Sequence, residues 1–385
     1  MRYATAAIDF ALISDVMMDL EGSVRPAIFL ADALVKQGYK VSMISPIMSS
    51  NVERRLSESG ITPVNFKARL ISKSLGLSTL WFELWAREAF LGLNSRQTLD
   101  KGSVRINFSQ VVSVPSSIWY LQGPPSTALK DMEEEFSTGF RIAYNVLKPF
   151  IERSDGGLVS RAGISSSFAI ANSRFCASMY SKFAVKIHDV IYPPIDCQTF
   201  CPSAANPFSN YVLTYFGKET KFSIIKKIAD AGVKIKAFGS KTPFISEKLR
   251  KNPNIEFLGK VSTSELVDLY SNALFTLFAF THEPFGYVPL ESMACGTPVV
   301  TYAMQGPSEY VAAEHTGWLA QTDGELAQKS VGLWKEGYNS SVRMNCVREA
   351  LRFDKQFYAK KWLETLSCLE DRLINSYGLL KVGLS

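Results

Sequence analysis

Short apolar runs alternate with amphipathic stretches along the first half of the chain. The runs that predict buried strands are Asp9–Ser14, Lys40–Ile44, Ser117–Gln122 and Phe168–Ala171. An amphipathic helix is predicted over Arg25–Gln37, and Gly38 ends it. Strands without polar alternation are typical of parallel sheets covered on both faces. The pattern therefore predicts an α/β domain with a doubly wound sheet.

The second half repeats this alternation. Its predicted strands are Tyr211–Phe216, Val233–Phe238, Ile255–Leu258 and Leu274–Phe280. Its predicted helices are Ser223–Ala231, Leu266–Ala273, Pro289–Ala294 and Phe353–Ile374. A second parallel sheet with its own helices follows from this pattern.

The length of 385 residues favours two domains, since a single hydrophobic core rarely grows that large. We predict an N-terminal Rossmann-like domain over residues 1–190 and a second one over residues 209–352. Residues 191–208 are rich in proline and are the best candidate for a linker. Residues 353–385 form the C-terminal segment.

Composition and charge are those of a globular protein, with 46% hydrophobic and 20% charged residues. The net charge of +6 is spread along the chain and suits a polyanionic ligand or an anionic membrane surface. No motif for nucleic-acid recognition is present, so no nucleic-acid partner is expected. The six cysteines form no Cys-x-x-Cys pair, and Asp9 and Asp15 interrupt the apolar N-terminus, which argues against a signal peptide. We expect a cytoplasmic location.

The window Thr281–Val300 carries the most chemical information. Glu283 and Glu291, with seven residues between them, flank a Gly/Pro loop and the start of a predicted helix. The backbone N–H groups at that helix start favour an anion, and they belong to Phe285, Gly286, Tyr287 and Val288. A diphosphate held there would have a carboxylate on each side, able to accept hydrogen bonds from ribose and sugar hydroxyls. The window therefore suits a nucleotide-sugar.

The phrase from Glu283 to Val300, followed by Gly306-Pro307-Ser308-Glu309, resembles the donor signature of the family 4 retaining glycosyltransferases. The resemblance implies the GT-B fold, in which two Rossmann-like domains face a cleft and the C-terminal helix crosses back to the first domain. It also implies that Glu283 orients the donor sugar and that Glu291 holds the ribose. The plainer alternative is that both are ordinary solvated carboxylates. His282 either touches the donor or packs in its loop.

Lysines follow the first strand of the second domain. The family has Gly-Arg and a later lysine there, both contacting the donor diphosphate, and this chain has Lys218 and Lys221 instead. Lysine keeps the charge but loses the bidentate geometry of arginine; the alternative is a solvated surface. Gly239, Lys260 and Val261 end the next two strands and are expected to bound the base pocket. In the first domain, Gly22 is the counterpart of the family's phosphate-approaching glycines, or part of a plain surface loop.

The acceptor side is indicated by two phrases of the first domain. The segment Trp119-Tyr120-Leu121-Gln122-Gly123-Pro124-Pro125-Ser126 is similar to the dolichol-pathway mannosyltransferases and their archaeal relatives, which often have histidine where this chain has Gln122. Glutamine can hydrogen-bond a hydroxyl but cannot act as a base. Asn172 and Arg174 follow a strand and either face the ligand crevice or belong to a helix cap. The resemblance implies a sugar or lipid-linked acceptor.

The segment Leu75–Leu93 is rich in tryptophan, leucine and phenylalanine, including Trp81 and Trp85. It is too charged to span a bilayer. It is either a helix buried in the first domain or a peripheral contact with a membrane surface.

We therefore predict a retaining hexosyltransferase that moves a hexose from a nucleotide diphosphate sugar to a sugar or lipid-linked hydroxyl. No cofactor and no metal are expected, because no Asp-x-Asp motif occurs and the resemblance is to metal-independent enzymes. A phosphorylase, a sugar-nucleotide epimerase and a non-catalytic GT-B subunit are the alternatives. The base, the hexose, the acceptor, the linkage and the oligomeric state are left open by the sequence.

Overall fold

The computed structural model describes residues 9–68, 83–89, 103–127, 138–203, 207, 209–217, 219–239 and 245–377. Packing divides the chain into two units: unit 1 comprises Met1–Ser126, Leu147–Pro194 and Gln356–Ser385, and unit 2 comprises Thr127–Val146 and Ile195–Lys355. The chain passes from unit 1 to unit 2 after Pro194, within the predicted linker 191–208. Of the described residues that we predicted in the N-terminal domain, Thr127 and residues 138–146 are grouped with unit 2.

The strands are short, and most end at an apolar residue or glycine. In chain order they are β1 (Asp9–Ile13), β2 (Lys40–Ser45), β3 (Thr62–Asn65), β4 (Ser103–Asn107), β5 (Ser116–Leu121), β6 (Ser166–Ala171), β7 (Asp189–Val190), β8 (Val212–Tyr215), β9 (Ile235–Phe238), β10 (Ile255–Gly259), β11 (Thr276–Phe278), β12 (Val299–Tyr302) and β13 (Gly317–Ala320). Strands β3, β4, β7, β12 and β13 were not predicted from the sequence. Strand β7 has only two residues, and Arg105 interrupts the apolar run of β4.

The helices alternate with these strands. They are α1 (Arg25–Lys36), α2 (Ser50–Glu58), α3 (Thr138–Ile164), α4 (Arg174–Ser181), α5 (Phe222–Asp230), α6 (Glu247–Arg250), α7 (Thr263–Asn272), α8 (Tyr287–Ala294), α9 (Asp323–Glu336), α10 (Ser341–Ala350) and α11 (Lys355–Tyr377). Residues 83–89 are also helical. Within the described part of the chain, no helix is both long and apolar enough to cross a membrane.

Each unit contains one parallel sheet. In unit 1 the described strands follow the order β3-β2-β1-β4-β5-β6-β7, and in unit 2 the order β10-β9-β8-β11-β12-β13. In both sheets the strand order reverses beside the first strand of the unit, at β1/β4 and at β8/β11. Ligands of open parallel sheets bind outside the carboxyl ends of the strands at such a reversal. In unit 2 that position lies between the loop after β8 and the loop after β11, which carries Glu283.

The last helix belongs to unit 1 from Gln356 onward. Trp362 of α11 is completely buried, and its ring lies 5.7 Å from the rings of Phe108 and Tyr120. The hydroxyl of Tyr358 donates a hydrogen bond to the carbonyl oxygen of Pro26 at 2.8 Å. Truncating a tryptophan in such a core costs about 3–5 kcal/mol, so α11 is an integral part of unit 1.

Part of the tryptophan-rich segment is also core. Leu84 and Trp85 are 2% and 1% exposed, and the indole Nε1 of Trp85 donates to Asp155 Oδ1 at 3.1 Å. For these two side chains the buried alternative is correct, because a fully enclosed indole has no surface left for lipid. Residues 75–82 and 90–93 of the predicted membrane contact lie outside the described residues.

Candidate functional site

The loop between β11 and α8 carries the predicted donor residues. Helix α8 begins at Tyr287, two residues before the predicted start at Pro289. Proline is tolerated within the first turn, because the N–H groups there have no partner within the helix. The N-cap is Gly286 with φ of +87°, a left-handed conformation that glycine adopts without strain. The chain therefore turns sharply into α8 directly after Phe285.

Glu283 is half-buried, and its carboxylate folds back on the start of α8. Oε1 accepts hydrogen bonds from the backbone N–H of Gly286 at 3.2 Å and of Phe285 at 3.5 Å. A carboxylate at this end of a helix is stabilised by the helix dipole. Two of the N–H groups that we predicted for a diphosphate are thus bound to Glu283. Those of Tyr287 and Val288 follow in the first turn, next to half-buried side chains.

The segment after β12 packs against this loop and holds it by hydrogen bonds. The N–H of Gly306 donates to the carbonyl oxygen of Glu283 at 2.8 Å, and a Cβ on Gly306 would lie only 2.1 Å from the carbonyl oxygen of Pro284. The hydroxyl of Tyr310 lies 2.9 Å and 2.6 Å from the carbonyl oxygens of Phe285 and Gly286. Gly306 stands beside the signature in the sequence and Tyr310 follows it, but no local pattern assigns either residue a role. Only this packing shows that both hold the loop.

Glu291 lies on α8 and is 3% exposed. Its Oε2 accepts a hydrogen bond at 3.2 Å from the hydroxyl of Tyr270, a fully buried residue of α7. The Tyr270 ring in turn packs edge-on against Phe238 at 6.0 Å. Glu291 is therefore held in a fixed orientation. A carboxylate that recognises ligand hydroxyls needs such a fixed orientation. Nothing in the sequence pointed to Tyr270.

Lys221 is bound to an acidic partner. Its Nζ lies 2.9 Å and 3.0 Å from the two carboxylate oxygens of Asp323 and 5.6 Å from the centre of the Tyr302 ring. Burial alone would raise the pKa of Asp323, but the Tyr302 hydroxyl, which donates to Oδ1 at 2.6 Å, and the Lys221 ammonium hold that pKa below its usual value. Lys221 is 12% exposed. Lys218 lies outside the described residues.

The edge predicted to bound the base pocket depends on glycines. Gly239 follows β9 with φ of +122°, and a Cβ there would lie 2.4 Å from the carbonyl oxygen of Phe216. Gly217 follows β8, and a Cβ there would lie 2.7 Å from Cε1 of Tyr215. After β10, Lys260 is exposed and Val261 is half-buried. His282 is half-buried beside Glu283.

In unit 1, two of the predicted acceptor residues lie at the carboxyl edge of the sheet. Gln122 is buried after β5, and its side-chain Nε2 donates to the carbonyl oxygen of Phe108 at 2.6 Å. Asn172 is buried after β6, and its Oδ1 has no hydrogen-bond partner among the described residues. An unpaired buried acceptor is costly, so a ligand hydroxyl would satisfy it.

The other two predicted residues of unit 1 are more exposed. Arg174 is exposed at the first position of α4, and Ser173 caps that helix by accepting from the N–H of Cys176 at 2.8 Å. Gly22 is exposed at the start of a 3-10 turn, has φ of +65°, and would meet nothing within 4 Å if it carried a Cβ. The local geometry of Ser173 is thus that of the helix-cap alternative.

A buried carboxylate fixes the loop that follows Gln122. Asp155 of α3 is completely buried, and its Oδ2 accepts from the N–H and the hydroxyl of Ser126 at 3.1 Å and 2.5 Å. Burial raises the pKa of Asp155, and the hydrogen bonds from Ser126 and Trp85 offset part of that rise. Asp155 is a residue that sequence reasoning missed.

Among the described residues, no group of three or more His, Cys, Asp and Glu side chains is arranged to hold a metal ion. The charges described around the donor loop include those of Glu283, Glu291 and the pair of Lys221 with Asp323. What the arrangement offers chemically is a helix start and two oriented carboxylates that can accept hydrogen bonds from hydroxyls.

Comparison with known proteins finds both sequence relatives and structural neighbours of this chain. Residues 222–346 match the family described as glycosyl transferases group 1. A probable transglycosylase of Burkholderia thailandensis is 29% identical over 194 residues, which are 45% of this chain and 51% of that protein. The alpha-1,3/1,6-mannosyltransferase ALG2 of Eremothecium gossypii is 33% identical over 99 residues, 24% of this chain and 18% of that protein. The chain thus spans about half or less of the length of these curated relatives.

The crystal structure of HepE from Anabaena in complex with UDP is similar to the whole chain, with a TM-score of 0.66 and 18% identity, covering 93% of this chain and 100% of that one. At this identity the likeness establishes the fold. The predicted GT-B class, built from two Rossmann-like parallel-sheet domains, is confirmed. The resemblance to the family 4 glycosyltransferases is confirmed as well, through the glycosyl transferases group 1 domain.

Proposed function

We propose that this chain, which carries a glycosyl transferases group 1 domain at residues 222–346, is a retaining hexosyltransferase. It would take a hexose from a nucleotide diphosphate sugar bound in unit 2 and pass it to a hydroxyl of a sugar or lipid-linked acceptor. The proteins it is similar to support this class, since one was crystallised with UDP and another is named a mannosyltransferase.

The observation that carries the proposal is the arrangement of Glu283 and Glu291 around the start of α8. Both carboxylates are held by neighbours, Glu283 by the N–H of Gly286 and Glu291 by the hydroxyl of Tyr270. Both lie within the one segment where the family phrase is complete. Fixed carboxylates on either side of a helix start suit a ligand with hydroxyls at both ends and an anion in the middle.

The chemistry follows from the leaving group. Breaking the bond between the anomeric carbon and the phosphate oxygen places negative charge on the diphosphate and positive charge on the sugar ring. The helix start and the lysines Lys218 and Lys221 would stabilise the diphosphate, and Glu283 would orient the sugar. We propose that this suffices without a metal, with retained anomeric configuration.

The acceptor is proposed to bind unit 1 at the edge formed by Gln122 and Asn172. The unpaired Oδ1 of Asn172 supports a hydroxyl as its partner there. A lipid-linked acceptor would bring the enzyme to a membrane surface. The net charge of +6 supports that contact, whereas Trp85 contributes nothing to it because it is buried.

The test begins with a thermal-shift panel of UDP-, GDP- and ADP-sugars, because a ligand that binds the native state raises its apparent stability. The donor that binds is then incubated with and without sugar and lipid-linked acceptors, and the products are identified by mass spectrometry. Transfer to an acceptor, unaffected by EDTA, is the expected result. A new sugar epimer or a sugar phosphate formed without acceptor would instead indicate an epimerase or a phosphorylase. Absence of binding by all three donors would contradict the proposal.

A further inference from the structure

Tyr215 is the last residue of β8, at the reversal of strand order in unit 2. Its ring is stacked on that of Phe280 at 6.1 Å and lies 5.2 Å from that of Phe238. Because Cβ atoms on Gly217 and Gly239 would lie 2.7 Å and 3.1 Å from the ring, both glycines are needed to accommodate it. The side chain is therefore fixed in place at the carboxyl edge of the sheet.

The side chain of Tyr215 is half-buried, and its hydroxyl neither donates nor accepts a hydrogen bond among the described residues. Burial raises the pKa of Tyr215, and the carboxylates of Glu219, Glu283 and Glu291 raise it further. The hydroxyl thus lies within electrostatic range of both signature glutamates and stays protonated at neutral pH. A fixed O–H group without a protein partner is available to donate a hydrogen bond to a ligand.

The surroundings of the ring narrow the identity of its acceptor. The Cε1 and Cε2 carbons of the ring lie next to Gly217 and Gly239, which follow β8 and β9 at the carboxyl edge of the sheet. The lysines proposed to stabilise the diphosphate follow β8 on the same loop as Gly217, so a diphosphate oxygen is the atom of the nucleotide-sugar that fits here best. A neutral O–H suits such an acceptor, since it donates to an anionic oxygen without adding a charge to the site. Hydrogen bonds to charged groups are also the stronger ones.

We infer that Tyr215 is a donor-site residue that donates a hydrogen bond from its hydroxyl to a diphosphate oxygen of the nucleotide-sugar. The inference rests on the proposed function and adds to it a residue outside the signature phrase. The Lys221 ammonium is engaged by Asp323, and lysine stands at position 218 where the family has arginine. An additional hydrogen-bond donor would therefore assist the leaving diphosphate in this chain.

The experiment compares Tyr215→Phe with wild type by calorimetry. Whichever of UDP, GDP and ADP binds wild type is titrated, followed by its nucleoside without phosphate. The substitution removes one oxygen atom and keeps the ring. We expect the dissociation constant of the nucleoside diphosphate to rise about tenfold or more, since a hydrogen bond to a charged group contributes about 1.5–3 kcal/mol. The nucleoside should bind within about twofold of wild type, and kcat should fall.

The matched control is Tyr211→Phe, which removes a hydroxyl that donates to the carbonyl oxygen of Leu269 at 2.7 Å. Tyr211 directly precedes β8, at the opposite end of that strand from Tyr215. It should lower the melting temperature without separating the two ligands. Equal affinity of Tyr215→Phe and wild type for the diphosphate would overturn the inference, and so would an equal loss for diphosphate and nucleoside. If wild type bound none of the three nucleotides, the proposed function itself would fall, and the inference with it.

Discussion

The carboxylate of Glu283 accepts a hydrogen bond from the backbone N–H of Gly286 at 3.2 Å, so the first signature glutamate is bound to the N-cap residue of the helix that carries the second. This links the two halves of the donor signature. A donor that draws Glu283 toward a sugar hydroxyl would leave the N–H groups at the start of α8 to an anion. The same short loop can thus present a carboxylate and a helix start to neighbouring parts of one ligand.

The turn at Gly286 should not tolerate a side chain. In Gly286→Ala the left-handed φ of +87° costs about 1–2 kcal/mol, and the added Cβ would lie 2.8 Å from Cγ of Pro307 and 3.2 Å from the Tyr310 hydroxyl. We expect a lower melting temperature together with a loss of nucleotide affinity. Gly337→Ala is the control, because its φ is +71° and nothing lies within 4 Å. Equal nucleotide affinity of the two variants would show that the loop has no part in binding.

Glu291→Ala should weaken nucleotide binding by about 1.5–3 kcal/mol, since it removes an ionised acceptor of ribose hydroxyls. Tyr270→Phe removes only the hydrogen bond that orients this carboxylate at 3.2 Å, so it should act in the same direction and more weakly. Isothermal titration with the nucleotide measures both. Unchanged affinity in Glu291→Ala would refute the role of this residue.

The variant Lys221→Ala tests whether the Lys221 side chain binds the donor diphosphate or serves only as the structural ion-pair partner of Asp323. If Lys221 stabilises the leaving group, kcat/KM falls tenfold or more, which corresponds to about 1.4 kcal/mol, and Asp323→Asn keeps most of the activity. Lys226→Ala is the control, because Lys226 forms an exposed ion pair with Asp230 on the adjacent helix. Equal melting losses in Lys221→Ala and Asp323→Asn, with full activity in both, would assign the pair a structural role only.

Asp155 should make the stability of unit 1 depend on pH. Its folded pKa is raised above the ordinary value of 3.8, so the folded protein binds the proton more tightly than the unfolded chain does. The stabilisation is complete below the unfolded pKa and is lost as the pH rises through the folded pKa. Relative to Asp155→Asn, which cannot titrate, wild type should lose stability over the range that begins near the ordinary value of 3.8 and extends upward from it. Melting curves of the two proteins across this range test the prediction, and parallel pH profiles would contradict it.

The sequence by itself determined the local elements and the donor signature. Strands such as β1, β5 and β9 were predicted within two residues of their observed ends, because an apolar run bounded by glycine or polar residues specifies a buried strand without reference to the rest of the chain. The complete phrase from Glu283 to Val300 likewise lies in one continuous segment, where spacing along the chain implies proximity.

The tertiary structure alone decided which partners these residues have. Lys221 meets Asp323 across 102 positions of sequence, and Trp85 meets Asp155 across 70. Hydropathy could not distinguish a buried Trp85 from one facing lipid, since the same apolar side chain suits both. The place of Tyr215 between two glycines and in range of two glutamates depends on three strands meeting at one sheet edge. Such contacts arise from strand order and register, which no local pattern encodes.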